Sequence, residues 1–418
     1  MSRTLDVYLR ESLAGSLIQM DDGQLCFFYG PDYLSSNGAA LSVSMPLQEA
    51  PYPDAAARPI FSGLLPDERA RKRLAAALGV SQQNAFGLLE IIGGECAGAL
   101  SLLPQGSDLP DFSSQDTEPL DEKRLSQILD LLRDRPLLGG EEGVRLSLAG
   151  AQDKLAVCVT GGQISLPKAG KPTTHILKPF IEGLDGTVEN ELFCMRLANR
   201  VGLQAPHVIK SSAGDTDFIL VERYDRVQEA DGSIAKLHQE DFCQALSVPP
   251  ELKYEEEGGP GIAQSAGLIQ KHTRRPAAER LAFQRMVMFH YMVGNADAHA
   301  KNFSLLYHAS TPDLAPLYDV VCTAAYPRLT KKLAMQIGGR GLADTITLEQ
   351  WYTLAAPTKA AQRVLRTELA TMASRIEAEA DALLDELHAE DLFHPILKTV
   401  RTIIGTRVKL VRDQLEKA

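Results

Sequence analysis

Apolar and polar side chains alternate over roughly the first 30 residues, broken at Gly15 and at Asp22-Gly23, a pattern that predicts a β-meander. From Asp67 to Leu78 the spacing becomes helical, and the apolar stretch FGLLEIIGGECAGALSLL follows. Between Pro104 and Arg124 periodicity disappears into PQGSDLPDFSSQDTEPLDEKR, whose Pro, Ser and acid mark it as the best linker candidate. A helix is expected near Leu125 to Arg133. From Val144 short β-like runs return (VRLSLAG, KLAVCV, HILKPF and DFILVERYD), interrupted by one helix from about Val188 to Val201. Beyond Asp241 the pattern is helical except for a Pro/Gly-rich insert, SVPPELKYEEEGGPG. Strands are expected again only around Asn302 to Leu306 and Leu314 to Tyr318. A β-rich unit followed by a helix-rich unit predicts an α+β, two-lobed protein.

Composition narrows the class. At 418 residues the chain should form two or three packed units. No apolar run reaches the ~20 residues of a membrane helix, and MSRTLDVYLRESLAG holds no signal-peptide core. Six scattered cysteines without a CxxC pair argue against a zinc ribbon or disulfide framework and suit a reducing compartment, so a cytoplasmic location is expected. A net charge of −11, from 43 basic and 54 acidic residues, opposes a broad nucleic-acid surface. The charge is uneven, however. Glu377 to Asp391 is almost wholly acidic, whereas Lys398, Arg401, Arg407, Lys409, Arg412 and Lys417 make the C-terminal segment basic. A local contact with nucleic acid or an acidic partner stays open beside the plainer reading of a solvated helix face.

The densest chemistry lies in MVMFHYMVGNADAHAKNFSLL, where an apolar helix ends at Gly294 and a polar loop follows with Asn295, Asp297, His299, Lys301 and Asn302. An Asp followed five residues later by an Asn is the spacing of a kinase catalytic loop. The Asp orients the attacking hydroxyl and takes its proton, while the Asn carbonyl can ligate Mg²⁺. Asp297 and Asn302 fit those roles, with Lys301 placed for the transferred phosphate. Further along, LAPLYDVVC sets Asp319 after a short apolar run, the place of a kinase metal-binding Asp, though no Phe-Gly follows it.

Upstream pieces agree in order. HILKPF puts Lys178 on a strand, and TVENELFCMRLANRVGL supplies a helix glutamate to hold it. Val188, Glu191, Met195 and Ala198 share one helical face, which favours Glu191 over Glu189. SLAGAQDK offers small residues through which backbone N–H groups could meet phosphate oxygens. Phe218 to Val221 runs into Glu222-Arg223-Tyr224, where a hinge would present backbone groups to adenine. Each piece alone is weak; together they follow kinase order.

With those residues in hand, SLAGAQDKLAV, THILKP, VENELFCMRLA, LVERYDR, VPPELKYE, GNADAHAKNFSLL and LAPLYDV resemble the signature blocks of HipA-type serine/threonine kinases, toxins of bacterial toxin–antitoxin pairs. FSGLLPDERARKRLAAALGV and IIGGECAGAL are similar to that family's N-terminal subdomain. The resemblance implies a protein-kinase-like fold. Residues 1–105 would form the N-terminal subdomain, 106–124 a linker, 125–225 the kinase N-lobe and 226–418 the helical C-lobe. It implies ATP and Mg²⁺ binding by Ala149, Gly150, Ala151, Gln152, Asp153, Lys154, Lys178, Glu222, Arg223, Tyr224, His299, Ala300, Lys301, Asn302, Tyr318 and Asp319. Asn302 and Asp319 would hold the metal, and Asp297 would be the catalytic base. Ser147 matches the serine whose autophosphorylation inactivates the kinase. Implied partners are a HipB-like helix-turn-helix antitoxin, operator DNA through that antitoxin, and a protein substrate such as an aminoacyl-tRNA synthetase, notably the glutamyl enzyme. Phosphorylating it would stall translation and arrest growth. Two other classes stay open: a small-molecule kinase of the aminoglycoside or choline type, and an idle co-repressor that only binds antitoxin and DNA.

Overall fold

The opening alternation folds into an antiparallel sheet of β1 (Arg3–Leu9), β2 (Ser12–Gln19) and β3 (Leu25–Tyr29), with β4 (Leu100–Pro104) returning beside β1. Leu5, Val7 and Leu9 point inward at every second position, as the period of two requires. Helices Asp54–Gly63, Glu68–Leu78 and Ala85–Ile92 lie between β3 and β4 in sequence and bury Phe61, Leu74, Phe86 and Leu89. The computed structural model describes residues 3–36, 38–141, 144–168 and 170–417. It divides into two units. The first holds Met1–Pro179, Ser211–Glu251 and Ser304–Asp313, and the second Phe180–Lys210, Leu252–Phe303 and Leu314–Ala418.

The first unit adds a six-stranded sheet, in the order β5 (Thr117–Pro119), β7 (Gln163–Pro167), β6 (Leu155–Thr160), β8 (His175–Pro179), β10 (Thr216–Glu222), β9 (Val208–Ala213). One apolar core runs from Leu5 and Phe27 through Leu129 and Leu146 to Leu177 and Phe218, so the N-terminal sheet and the six-stranded sheet share a single interior. The stretch expected as a linker contributes β5, paired with β7 through Thr117↔Pro167, because Glu118 and Pro119 find an open sheet edge. The helix expected near Leu125 spans Glu122–Asp134, capped by the Asp121 side chain.

Two expected strands are largely absent. VRLSLAG forms only isolated bridges, Glu95↔Leu146 and Pro66↔Gly150. Its backbone bonds go to loops instead: Ser147 N–H to Glu95 O at 2.8 Å, and Asp67 N–H to Gly150 O at 3.1 Å. Of Leu314 to Tyr318, only Leu314 is in a strand, the two-residue Asp313–Leu314. Pro316 has no N–H to donate, and Leu317 N–H bonds Gln204 O at 2.8 Å. Conversely, β7 and the hairpin Lys332–Ile337/Arg340–Leu342 were not foreseen.

The second unit is mainly helical: Thr187–Arg200, Ile262–His272, Pro276–Val293, Lys359–Ala389 and Ile396–Glu416. The last two helices pack together and settle much of the uneven charge. Arg401 bonds both oxygens of Asp381, at 2.5 and 2.8 Å, and Arg412 pairs with Glu377. Arg196 and Arg200 also reach acids of Lys359–Ala389, Glu386 and Glu379. Among the described residues, no helix is long and apolar enough to cross a membrane.

Candidate active site

The helix Pro276–Val293 begins on a proline, whose missing N–H costs nothing in a first turn, and stops at Gly294. Gly294 has φ +76, and a Cβ there would lie 2.7 Å from Ile403 Cγ2, so both conformation and space demand glycine. The polar loop leaves from this point. His290, on the last turn, bonds the Asn295 side chain at 3.0 Å, and Asn295 Oδ1 accepts the Asp297 N–H at 2.9 Å. Burial holds the His290 pKa down to about 4, so the ring is neutral at physiological pH. A rigid helix end therefore sets the backbone of Asp297, whose side chain is exposed.

Five residues on, Asn302 closes a short 3-10 turn, Ala300–Asn302, by accepting the His299 N–H on its Oδ1 at 3.1 Å. Its Nδ2 donates to Asp319 Oδ2 at 3.0 Å. Asp319 adopts φ +58, a left-handed conformation uncommon for a residue with a Cβ. The residues around it hold it there. Tyr318 donates its hydroxyl to Lys301 O at 2.7 Å, and Ala296 N–H bonds Thr323 Oγ1 at 2.8 Å. The structure thus brings Asp297, His299, Ala300, Lys301, Asn302, Tyr318 and Asp319 into one hydrogen-bonded constellation.

Three residues outside the sequence-derived set belong to it. Asn190, fully buried, accepts the Cys322 N–H at 2.8 Å and donates to Cys322 O at 3.2 Å, fixing the chain just after Asp319. Thr323 ties that chain to Ala296. Tyr254, in the Pro/Gly-rich insert, donates its hydroxyl to Asp297 Oδ1 at 2.9 Å. The sequence reading favoured Glu191 over Glu189 by helical face, but Thr187 to Met195 are all buried, so position alone separates nothing. Glu189 forms an ion pair with Lys210, and Glu191 is 2% exposed.

In the first unit, Lys178 sits on β8, between β6 and β10, opposite Ile219 and buried. The loop 149–154 is shaped by Lys154, which donates to Ala149 O at 2.7 Å, and by Gly150 at φ +112. A Cβ on Gly150 would strike the Lys154 ammonium. Gln152 bonds Pro179 O at 2.9 Å, Asp153 pairs with Arg73, and Ala151 is exposed. Ser147 is fully buried and donates to Leu64 O at 2.8 Å.

Behind the hinge candidates lies a buried ionic cluster. Arg223 bonds Asp225 at 2.8 and 2.9 Å, Arg226 bonds Glu95 at 2.9 Å, and Thr173 donates to Glu95 at 2.7 Å. Burial alone would raise the Glu95 pKa, but Arg226, Lys236 and Arg223 outweigh it and hold it at about 2. The Arg223 N–H bonds Thr174 O and its carbonyl accepts from Arg226, so both backbone groups of this residue, expected as a nucleotide contact, are engaged within the fold. Glu222 ends β10 on the exposed side, and Tyr224 donates its hydroxyl to Gln239.

The donor set suits a nucleotide-borne magnesium. Asp319 offers hard carboxylate oxygens, with the Asn302 amide beside it through its nitrogen and the amide oxygen turned to the His299 N–H. No group of three His, Cys, Asp or Glu among the described residues could hold a cation unaided. Mg²⁺ commonly takes one or two protein ligands with phosphates and water.

Asp…Asn…Asp in the second unit, together with a strand lysine and a small-residue loop in the first, is the residue set of a protein-kinase-like phosphotransferase, and the comparisons agree on that fold. A family model of the HipA N-terminal domain matches residues 5–103, and one of the HipA-like C-terminal domain matches residues 146–384. The chain belongs to the HipA family. It is 44% identical over 98% of its length, and 99% of the relative's, to a Sinorhizobium fredii protein named "Putative kinase Y4mE". It is 28% identical over 91% of its length, and 89% of the relative's, to the serine/threonine-protein kinase toxin HipA of Shewanella oneidensis. Among solved structures it resembles a chain of the Shewanella oneidensis HipA, HipB and operator DNA complex, with TM-score 0.81 and 25% identity, covering 99% of this chain and 97% of that one.

Proposed function

We propose that this protein is an ATP- and Mg²⁺-dependent serine/threonine-protein kinase and the toxin of a toxin–antitoxin pair. The observation that carries this reading is the bond of 3.0 Å between Asn302 and Asp319 on the loop that also presents Asp297. In it, Asp297 takes the proton of an acceptor hydroxyl, Lys301 faces the transferred phosphate, and Asn302 and Asp319 hold Mg²⁺. Bound Mg²⁺ neutralises charge on the phosphates. Loop 149–154 and Lys178 bind the phosphates, and Glu222 to Tyr224 flank adenine.

The same reading assigns a cytoplasmic protein acceptor, with an aminoacyl-tRNA synthetase as the first candidate, and growth arrest as the outcome. It assigns a HipB-like helix-turn-helix antitoxin that carries the protein to operator DNA. Ser147 is the site of self-inactivation. Its buried hydroxyl must leave Leu64 before it can be phosphorylated, so modification would hold the loop away from its nucleotide-binding arrangement, adding about −1.5 to −2 charges.

The test is phosphoryl transfer from labelled ATP with Mg²⁺ to the chain itself, to synthetase proteins and to a panel of metabolites. Label on protein Ser or Thr supports the reading. Label only on an aminoglycoside or choline-like acceptor selects a small-molecule kinase, and no label anywhere leaves an antitoxin-binding co-repressor.

A further inference from the structure

A general base in phosphoryl transfer must receive its acceptor hydroxyl on a carboxylate oxygen. In this structure Oδ1 of Asp297 already receives one, from the Tyr254 phenol at 2.9 Å. The phenol is held there by a built support. Its ring meets the His299 ring edge-on at 5.3 Å and 78°. Its carbonyl accepts the N–H groups of Glu257 at 3.0 Å and Gly259 at 2.9 Å. Gly259 has no room for a side chain, since a Cβ would lie 2.8 Å from Tyr254 O. One residue on, Glu255 accepts the Gln336 N–H at 2.5 Å, tying the turn to the hairpin Lys332–Ile337/Arg340–Leu342.

We propose that Tyr254 is an acceptor-site placeholder: its hydroxyl occupies the oxygen of Asp297 that an incoming Ser or Thr hydroxyl uses, and the acceptor engages the base by displacing it. This rests on the kinase reading of Asp297. The phenol is the donor in this bond and does not compete for the acceptor's proton. While in place it keeps the Asp297 carboxylate oriented. It also denies that oxygen to water. An exposed base beside bound ATP would otherwise direct water at the terminal phosphate, giving phosphate and ADP without a protein product. Tyr254 is thus a positioning residue that biases the site towards protein hydroxyls.

The test is Tyr254→Phe, which keeps the ring against His299 and removes only the hydroxyl. ATP hydrolysis without acceptor and phosphorylation of a Ser-containing protein acceptor are measured side by side, with a thermal melt to establish folding. The ratio of hydrolysis to transfer should rise about ten-fold, the scale of one hydrogen bond to a charged group, and the acceptor KM should fall because nothing need be displaced. An unchanged ratio in a folded, transferring variant overturns the placeholder role and leaves the kinase reading intact. Loss of transfer together with hydrolysis overturns it too, since the phenol would then belong to the reacting machinery. A wild-type chain that transfers to no protein acceptor removes the kinase reading, and this inference with it.

Discussion

Glu240 shows how much one buried side chain can govern. It is 2% exposed and accepts hydrogen bonds from Ser42, Tyr307 and, at 3.0 Å, the Val43 N–H. Burial raises its pKa to about 7, and these donors only partly offset it; Asp241 adds to the rise. A carboxyl whose folded pKa lies above its unfolded value stabilises the fold fully below the unfolded pKa, near 4.5, and loses that contribution as pH climbs through 7. Glu240→Gln should therefore remove a component of stability that grows as pH falls from about 7 to about 4.5. Urea midpoints of both proteins at pH 5 and pH 8 check it, and a difference that does not vary with pH contradicts it. Glu95 has the opposite sign. Held at about 2, it stabilises above 4.5 and loses its contribution as pH falls through 2. Glu95→Ala should cost about 3–5 kcal/mol, because Arg223 and Arg226 would be left buried without it; chemical denaturation measures the loss. Neither glutamate stood out in the sequence, where GGEC and HQED carry no sign that three distant segments converge on them.

Among the elements, those with a local cause could be read before folding. The meander, the helix begun at Asp67, the helix ended at Gly294 and the strand bearing Lys178 all follow from period, caps and turns. VRLSLAG failed for a non-local reason, since its partners Pro66 and Glu95 lie far back in the chain. The catalytic-loop spacing pointed to Asp297 and Asn302, and LAPLYDVVC to Asp319, but neither pointed to Asn190 or Tyr254, whose placing depends on which backbone or carboxylate they meet in space. Asn190→Ala should leave the Cys322 N–H buried without its acceptor, costing about 1–3 kcal/mol, and should weaken Mg-ATP affinity by loosening the segment after Asp319. Calorimetric titration with and without Mg²⁺ checks the second effect, and unaltered affinity would remove Asn190 from the site. Gly294→Ala should destabilise by about 1 kcal/mol or more, given its positive φ and the Ile403 contact, with a lower melting temperature as the readout.

For the whole molecule, the N-terminal sheet shares one core with the six-stranded sheet, and Pro66, Asp67 and Glu95 hold the backbone of the loop that carries Ser147 and Gly150. The N-terminal subdomain is therefore a structural wall, in the first unit, of the loop proposed to bind nucleotide. In the second unit, the acidic and basic C-terminal helices neutralise one another in part, so the basic stretch is less of a nucleic-acid surface than its sequence suggests. Arg401 is partly exposed, and pairs of this kind contribute about 0–1 kcal/mol. Arg401→Ala should accordingly lower stability only slightly, and operator binding by the proposed antitoxin complex should keep its slope against salt. A slope reduced by about one phosphate contact would place Arg401 on DNA instead.

The central claim is that Asp297 takes the acceptor proton while Asp319 serves the nucleotide. Its most direct measurement compares Asp297→Gln and Asp319→Gln with the wild type, following ATP affinity with and without Mg²⁺ and protein phosphorylation in the same preparations. Asp297→Gln should bind Mg-ATP as the wild type does while transfer falls by about 10²–10⁴-fold. Asp319→Gln should lose the part of the affinity that depends on Mg²⁺. Near-wild-type phosphorylation by Asp297→Gln, or Mg²⁺-dependent binding untouched in Asp319→Gln, would contradict the account.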